Sequence, residues 1–320
     1  MRTKLRKFVS NDPFRDLPAT TTILGGIVGA AQPSTYSLSP GLWNRFFDVL
    51  GLKGRYVAFD LARQDDLKEF LHAAFEFPSF LALTVTKPCK GPTFKLLESL
   101  PYEKEISARS AALGSLNYLI RNSSNRTLWV DRTDGPGFVR SLKKHAALAG
   151  KKVLVIGSGG TALSICFELI AEAAELELVD IVPESAQRMG AVLSPFKKRA
   201  QKLAVHSNWD KLFEIAMSSD IIINAMMGVT PFETEVITGL PENCLLADVH
   251  YTKDNAVFAQ AVRAAGRTCI DGLHMRYGQF RFAAEKCGAL LGFSPETLEK
   301  HLDAIETWFI TENAHTKKAA

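Results

Sequence analysis

Residues 153–162 constrain the fold of this chain more than any other segment. An aliphatic run at 153–156 stops at a cluster of glycines, and an apolar, helix-prone segment at 162–169 follows at once. This order of strand, tight glycine turn and helix is the setting in which a G-x-G-x-x-G/A pattern indicates dinucleotide binding. Gly157 would form the turn, Gly159 would let the backbone approach a pyrophosphate, and Ala162 would let the helix pack closely on the strand. We therefore predict a phosphate-binding turn made of Gly157, Ser158, Gly159, Gly160, Thr161 and Ala162.

An acidic residue strengthens this prediction and indicates which dinucleotide binds. Asp180 ends the next apolar run, 176–179, about 20 residues beyond the last glycine, where an acid hydrogen-bonds the adenosine ribose hydroxyls. A carboxylate at this place favours a free ribose diol and repels a 2′-phosphate, and no arginine follows until Arg188. We predict NAD as the cofactor in preference to NADP.

Short strands alternate with helical patterns along most of the chain. This alternation predicts an α/β fold, and the near-continuous apolar strands after residue 150 favour a doubly wound, Rossmann-type sheet. We predict an N-terminal α/β substrate-binding and catalytic lobe at 1–138, a nucleotide-binding domain at 139–270, and C-terminal helices at 271–320 that return to the first lobe. A small substrate would meet the cofactor in a cleft between the lobes. The expected strands are 22–28, 55–60, 81–86, 153–156, 176–179, 221–225, 245–249 and 268–270, and the expected helices are 42–50, 67–74, 93–100, 137–148, 280–291 and 295–308.

Composition excludes several other classes of protein. The 320 residues are 47% hydrophobic and 22% charged with a net charge of +4, as in an ordinary soluble protein, and no apolar run is long enough to span a bilayer. Basic residues are dispersed and not interleaved with aromatics, which argues against nucleic acid. Five cysteines without C-x-x-C spacing argue against metal or disulfides, and acidic residues after the basic start argue against an export signal. We expect a cytoplasmic monomer or homodimer that acts on a small molecule.

Two polar clusters in the first lobe are candidate substrate contacts. In Ser37-Leu38-Ser39-Pro40 both hydroxyls could grip a carboxylate, or Ser39 could simply cap the following helix. In residues 84–90 a proline after a strand fixes a turn from which Lys90 could project, although a lysine is more often a solvated surface charge. The residues alone do not separate Lys87 from Lys90.

Three further positions also have an ordinary structural explanation. Asn117 could satisfy backbone groups in a turn, and Asp134 precedes Gly-Pro-Gly, an ordinary turn signal. Gln279, at the opening of the first C-terminal helix, would mean little by itself. The order of all five clusters along the chain carries more information than any one of them.

Taken in order, these clusters resemble the shikimate dehydrogenase family over about residues 23–310. The matching segments are Ser37-Leu38-Ser39-Pro40 (family S-L-S-P), Val85-Thr86-Lys87-Pro88-Cys89-Lys90 (V-T-x-P-x-K), Gly114-Ser115-Leu116-Asn117 (G-A-V-N), Thr133-Asp134-Gly135 with Gly137-Phe138 (N-T-D-G-x-G-F), Ile223-Asn224-Ala225 (I-N-A-T), Asp248-Val249-His250-Tyr251 (D-x-x-Y) and Gly272-Leu273-His274-Met275 with Gln279 (G-L-x-M-L-x-x-Q). Arg276 departs from the last pattern, where the family has leucine.

The resemblance implies a role for each matching residue. Lys90 corresponds to the catalytic lysine and Asp134 to its partner aspartate, and a lysine oriented by a carboxylate can take a proton from a hydroxyl. The resemblance implies that the substrate is held by Ser37, Ser39, Thr86, Asn117, Thr133, Tyr251 and Gln279. It implies further cofactor contacts at Asn224, Ala225, Gly272 and Met275. NADP-dependent members carry Asn-Arg-Thr where this chain has Asp180-Ile181-Val182.

The implied activity is NAD(P)-dependent interconversion of a cyclic hydroxy carboxylate, shikimate or quinate, with its 3-dehydro ketone. Thr84 replaces an asparagine of the family pattern, Tyr36 a histidine and Arg132 an asparagine, so the preferred substrate stays open. The alternatives are a dehydrogenase of the same fold for an amino-substituted or other analogue, and a non-catalytic nucleotide-binding sensor. A folate-type methylene dehydrogenase would not explain the S-L-S-P and T-D-G segments.

Overall fold

The computed structural model describes residues 1–122, 124–206, 208–252 and 254–315. It divides into a first unit, Met1–Thr133 with Phe280–Glu312, and a second unit that includes Asp134–Gln279. These limits differ from the predicted boundaries after residues 138 and 270, because one helix begins at Asp134 and another runs without a break from Gly272 to Leu290. The roles predicted for the domains stay predictions.

The first unit is built on a mixed sheet. In the described residues its strands are β1 (Ile23–Gly29), β2 (Gly54–Asp60), β3 (Phe80–Val85), β4 (Glu103–Ile106), β5 (Tyr118–Asn122) and β6 (Thr127–Asp131), in the order β2-β1-β3-β5-β6-β4. Neighbours are parallel except that β5 is antiparallel to both β3 and β6. The start of β5 therefore lies beside the ends of β3 and β6, which gathers their following loops at one edge.

Helices of the first unit cover both faces of this sheet. They are α1 (Arg2–Arg6), α2 (Ser39–Val49), α3 (Leu67–Phe75), α4 (Lys90–Leu96) and α5 (Ala108–Leu113). Trp43 of α2 stacks on Tyr56 of β2 at 5.1 Å and makes an edge contact with Phe280 at 5.4 Å. The second face is packed by phenylalanines that include Phe59, Phe70 and Phe80. Large aromatic side chains thus supply much of the buried apolar area of this core.

The second unit contains the doubly wound sheet that the sequence predicts. Its described strands are β7 (Lys152–Ile156), β8 (Glu175–Val179), β9 (Lys202–His206), β10 (Ile221–Asn224), β11 (Leu245–Asp248) and β12 (Cys269–Ile270). All pairs are parallel, in the order β12-β11-β10-β7-β8-β9, so the strand order reverses between β7 and β10. Ligands of such sheets bind outside the carboxyl ends of the strands at this reversal. The predicted α/β class is confirmed.

Helices on both sides bury the aliphatic strands of the second unit. They are α6 (Asp134–Lys143), α7 (Gly160–Leu169), α8 (Pro183–Leu193), α9 (Leu212–Met217), α10 (Thr234–Gly239) and α11 (Val257–Ala264), followed by α12 (Gly272–Leu290) and α13 (Pro295–His315), which continue into the first unit. Several elements of this unit were not predicted. One is β9, whose segment is only half-buried and whose polar ends weaken the apolar pattern.

Gly135-Pro136-Gly137 was expected to form a turn, and this prediction was wrong. The segment is the first turn of α6, where a proline is tolerated because its missing N–H has no partner inside the helix. A Cβ at Gly135 would lie 2.0 Å from the Ser164 carbonyl oxygen, and one at Gly137 would lie 2.5 Å from the Gln279 nitrogen. The glycines are required by close packing of α6 on α7 and α12, a tertiary cause that a local pattern does not contain.

None of the helices in the described residues has both the length and the apolar character needed to cross a bilayer. All five cysteines are free and buried, and burial raises the pKa of Cys244 to about 11. Among the described residues no group of acidic, histidine and cysteine side chains has the arrangement of a metal site.

Candidate functional site

The glycine turn joins β7 to α7 at the carboxyl edge of the parallel sheet. Gly157 has a φ of +101°, which side-chain-bearing residues rarely adopt, and its N–H donates to the Val179 carbonyl at 2.8 Å. A Cβ there would also come within 3.1 Å of the Ala225 carbonyl carbon, just beyond the end of β10. Both the conformation and the close approach of the chain therefore require glycine.

The next glycine leaves room where a phosphate would approach. Gly159 precedes the first residue of α7, and a Cβ built on it would meet nothing within 4 Å. No acidic residue stands in the first turn of α7 itself, so no side chain of that turn neutralises the positive end of the helix dipole. Ala162 is buried in the core formed by β7, α7 and their neighbours. These residues fit the pyrophosphate of a dinucleotide.

Asp180 lies beside this turn and contacts it directly. Its Oδ2 accepts hydrogen bonds from the Ser158 backbone N–H at 2.7 Å and from the Ser158 hydroxyl at 2.6 Å. Its Oδ1 accepts from the Val182 N–H at 2.8 Å. The carboxylate is therefore held in one orientation at the end of β8, half-buried, next to the predicted phosphate site. Ser158 was predicted as part of the turn, but its contact with Asp180 was not predicted.

Other predicted cofactor residues have clear structural contacts of their own. The Asn224 amide donates to the carbonyls of Met226 and Val229 and accepts from the Met226 N–H, which shapes the loop after β10. A Cβ at Gly272 would lie 2.3 Å from the Val249 carbonyl oxygen, so the start of α12 packs tightly against the end of β11. Met275 is buried in the core of the second unit. Direct contact of these residues with a cofactor stays a prediction.

In the first unit, Thr86 and Lys90 follow the end of β3. Thr86 is half-buried, and its N–H donates to the Val28 carbonyl at 3.0 Å. Lys90 is the first residue of α4 and is half-buried, whereas Lys87 is exposed. The Leu116 N–H donates to the Lys90 carbonyl at 3.4 Å, which places Lys90 next to the segment that carries Asn117. This difference in burial separates the two lysines that the residue pattern left equivalent.

Asn117 and Thr133 form a buried pair at the same edge. The Asn117 Oδ1 accepts from the Thr133 N–H at 2.8 Å, and its Nδ2 donates to the Thr133 hydroxyl at 3.2 Å. The Asn117 backbone links the ends of two strands, since its N–H donates to Asp131 and its carbonyl accepts from Val85. Asp134 follows Thr133 directly, is 3% exposed, and begins α6. Asn117 thus also satisfies backbone groups, which is the ordinary structural role expected for it.

The two serines of the S-L-S-P segment contact each other. Ser39 is the first residue of α2 and is 2% exposed, and its N–H donates to the Ser37 hydroxyl at 3.2 Å. The Ser39 hydroxyl does not cap α2. The Ser37 hydroxyl instead accepts one backbone N–H at the start of this helix. Ser37 is half-buried.

Thr84 and Thr86 each lie against a tyrosine, and neither of these contacts was predicted from the sequence. The Tyr56 hydroxyl accepts from the Thr84 N–H at 2.8 Å and lies 2.6 Å from the Thr84 hydroxyl. Burial raises the pKa of Tyr56 well above 10, so the phenol keeps its proton and can donate it to Thr84. The Tyr36 hydroxyl lies 3.3 Å from that of Thr86. Tyr56 reaches Thr84 across β1 because Gly25 has no side chain there.

Two arginines depart from the family pattern and have defined contacts. Arg132 is 5% exposed and donates to the Ser115 hydroxyl at 2.6 Å in the first unit. Arg276, in the second unit, donates to the Tyr251 hydroxyl at 3.2 Å and lies 3.5 Å from the Gln279 Oε1. Its guanidinium also lies 5.5 Å from the centre of the Tyr251 ring. Arg276 therefore joins two residues, Tyr251 and Gln279, that were predicted separately.

These features define a two-unit α/β protein with a Rossmann-type dinucleotide fold in its second unit. Residues 30–119 match the family model described as the shikimate dehydrogenase substrate binding domain. Over this segment the chain is similar to the shikimate dehydrogenase family. The matched segment contains five residues that the resemblance had implied as catalytic or substrate-binding: Ser37, Ser39, Thr86, Lys90 and Asn117.

Relatives extend the similarity over most of the chain. A shikimate dehydrogenase (NADP(+)) of Thermococcus kodakarensis is 29% identical over 277 residues, covering 86% of this chain and 93% of the relative. One of Carboxydothermus hydrogenoformans with the same name is 27% identical and covers 83% and 91%. The quinate dehydrogenase of Corynebacterium glutamicum, solved with NAD, matches at a TM-score of 0.73 and 23% identity, covering 91% of this chain and 99% of that one. The last comparison shows the shared fold.

Proposed function

We propose that this protein is an NAD(P)-dependent oxidoreductase that interconverts a cyclic hydroxy carboxylate, shikimate or quinate, with its 3-dehydro ketone. The observation that carries the proposal is the presence, in one chain, of the family's substrate-binding segment with Lys90 and a glycine turn fitted to a dinucleotide. The names of the relatives support the same reaction class.

In the proposed oxidation, Lys90 takes the proton of the reacting hydroxyl on its Nζ, and Asp134 orients the lysine and balances its charge. The carbon–oxygen bond becomes a carbonyl as the hydride leaves carbon. A bound nicotinamide would supply the hydride acceptor. In the reverse direction Lys90 returns the proton to the carbonyl oxygen.

The remaining predicted residues position the substrate. Ser37 and Ser39 bind the carboxylate, while Thr86, Asn117, Thr133, Tyr251 and Gln279 hold the ring hydroxyls and the edge of the site. The hydrogen bonds of Asn117 to Thr133 support a fixed orientation for its amide, which a site for oriented hydroxyls requires. Thr84 contributes less than the family asparagine would, since its hydroxyl lies against Tyr56.

For the cofactor we propose NAD in preference to NADP. Asp180 brings a negative charge to the predicted ribose site, and the segment after it is Ile181-Val182, without an arginine to bind a 2′-phosphate. The curated relatives are named as NADP(+) enzymes, whereas solved structures of the same fold include complexes with NAD. A cytoplasmic monomer or homodimer is the setting in which we place this activity.

An assay of the purified protein with shikimate and quinate, each paired with NAD and with NADP at mildly alkaline pH, tests the proposal. We expect reduced cofactor to form with at least one of the two acids and faster with NAD. No turnover with either acid would refute the proposed reaction, and a clear preference for NADP would refute the cofactor choice alone.

A further inference from the structure

The carboxylate of Asp180 is almost saturated with hydrogen bonds before any ligand is considered. A carboxylate offers about four acceptor positions, two on each oxygen. On Oδ2 both are taken by Ser158, one by its N–H at 2.7 Å and one by its hydroxyl at 2.6 Å. On Oδ1 the Val182 N–H takes one at 2.8 Å. The remaining acceptor position is on Oδ1.

The two bonds from Ser158 have different origins in the sequence. The N–H would be present with any residue except proline at position 158, and the Gly157 N–H bond to Val179 fixes the backbone there. The hydroxyl is present because residue 158 is serine. It is therefore a contribution that a substitution can remove while the glycine turn stays intact.

Among the residues that the structure describes, the carboxylate of Asp180 forms no ion pair with a cationic side chain. The nearest arginine along the chain, Arg188, donates instead to Ser185 at 2.7 Å. Ile181 and Val182, which follow Asp180, are exposed apolar side chains. A second negative charge close to this carboxylate would be repelled, while a hydroxyl donor would be accepted.

We propose that Ser158 is a positioning residue whose hydroxyl orients Asp180 so that the site selects a dinucleotide with a free ribose diol over a 2′-phosphorylated one. This inference rests on the proposed dinucleotide-binding function. Without the hydroxyl, the carboxylate keeps the backbone N–H donors of Ser158 and Val182. It loses the second hydrogen bond on Oδ2, which helps to hold that oxygen against the turn. The site then discriminates less between the two dinucleotides, while the phosphate-binding turn stays intact.

Equilibrium binding of NADH and NADPH to the full-length protein, measured by isothermal titration calorimetry without substrate, tests this role. We expect Ser158→Ala to weaken NADH binding by about three- to tenfold, the effect of losing one hydrogen bond, and to leave NADPH binding nearly unchanged. Ser158→Thr, which restores a hydroxyl, should bind NADH as the unaltered protein does. Ser218→Ala, which removes a hydroxyl bonded to Lys152 at the amino end of β7, is the matched control and should change neither affinity.

A double-variant cycle separates positioning from direct contact. In an Asp180→Ala background the further change Ser158→Ala should have no effect on NADH binding, because the hydroxyl acts through the carboxylate. If the ratio of the NADH and NADPH affinities is unchanged in Ser158→Ala, whether both fall equally or neither falls, the positioning role is overturned. If the unaltered protein binds neither dinucleotide, the proposed function fails as well. If it prefers NADPH, the cofactor choice fails.

Discussion

The polar edge of the second unit and that of the first are assembled in different ways. In the second unit β7 and β8 are consecutive, parallel and joined by one helix, so the end of β8 brings Asp180 beside the glycine turn. In the first unit the contacts reach across the strand order: Tyr56 of β2 crosses β1 to reach Thr84 of β3. The edge of the second unit therefore follows a recurring local motif, whereas the edge of the first unit depends on side-chain contacts particular to this chain.

This difference predicts where substitutions act. Residues at the edge of the second unit should affect ligand binding more than folding, because the glycine turn leaves open space for a ligand. Residues at the edge of the first unit should affect both, because their side chains also hold strands together. The variants below test this contrast, beginning with the largest expected effect.

Lys90→Ala should lower the turnover number by about 10²- to 10⁴-fold, the range associated with general acid–base groups, and leave NADH affinity nearly unchanged. The residue lies in the first unit, so dinucleotide binding by the second should survive. Lys95→Ala, on the exposed side of the same helix, is the control and should keep the original rate. Steady-state kinetics and calorimetry measure the two quantities. Turnover by Lys90→Ala at the original rate would show that another group carries the proton.

Gly25→Ala should lower the free energy of unfolding by about 1–3 kcal/mol, as expected for a side chain forced into a packed core. Its Cβ would lie 2.6 Å from the Tyr56 ring and 2.9 Å from the Ala82 carbonyl oxygen. Gly41→Ala in α2, where nothing lies within 4 Å, is the control and should leave stability unchanged or raise it slightly. Denaturant titration measures both. If Gly25→Ala and the unaltered protein have the same free energy of unfolding, the first unit tolerates a repositioned Tyr56.

The same contrast explains how far the sequence could predict this molecule. The strand–turn–helix pattern at 153–162 and the apolar strands around it contain their own physical cause, so the doubly wound sheet could be predicted. The site of the first unit could be named only by resemblance, because the pairing of Thr84 with Tyr56 depends on a strand order that local patterns do not carry. The helical Gly135-Pro136-Gly137 segment was missed for a related reason, since its cause is packing against Ser164 and Gln279.

Gly159→Ala should weaken NADH binding by about tenfold or more, equivalent to roughly 1.4 kcal/mol, without lowering stability. The added Cβ meets no protein atom, so folding has no reason to suffer, but it occupies the space in which a pyrophosphate would lie. Gly239→Ala, at the end of α10 in the same unit, also meets no atom and is the control for binding. Unchanged NADH affinity in Gly159→Ala would mean that the phosphates do not approach this residue.

The smallest expected effect concerns a buried acid on the sheet of the second unit, away from the glycine turn. Burial raises the pKa of Glu177, but hydrogen bonds from His206 and Lys152 outweigh it, so the pKa of this carboxyl is lowered overall. A folded-state pKa below the unfolded value contributes stability that is complete above the unfolded pKa of about 4.5 and is lost as pH falls through the folded value.

Glu177→Gln should therefore flatten the loss of unfolding free energy on acidification below pH ~5, which denaturant titrations at several pH values would measure. Glu175→Gln, on the same strand and less buried, is the matched control and should keep the original slope. NADH affinity at neutral pH should be the same in both variants, because Glu177 contributes to the sheet and not to the turn. A slope that matches the unaltered protein in Glu177→Gln would assign the acid sensitivity to other carboxylates, and lost NADH binding would show that stability and ligand binding are coupled in this unit.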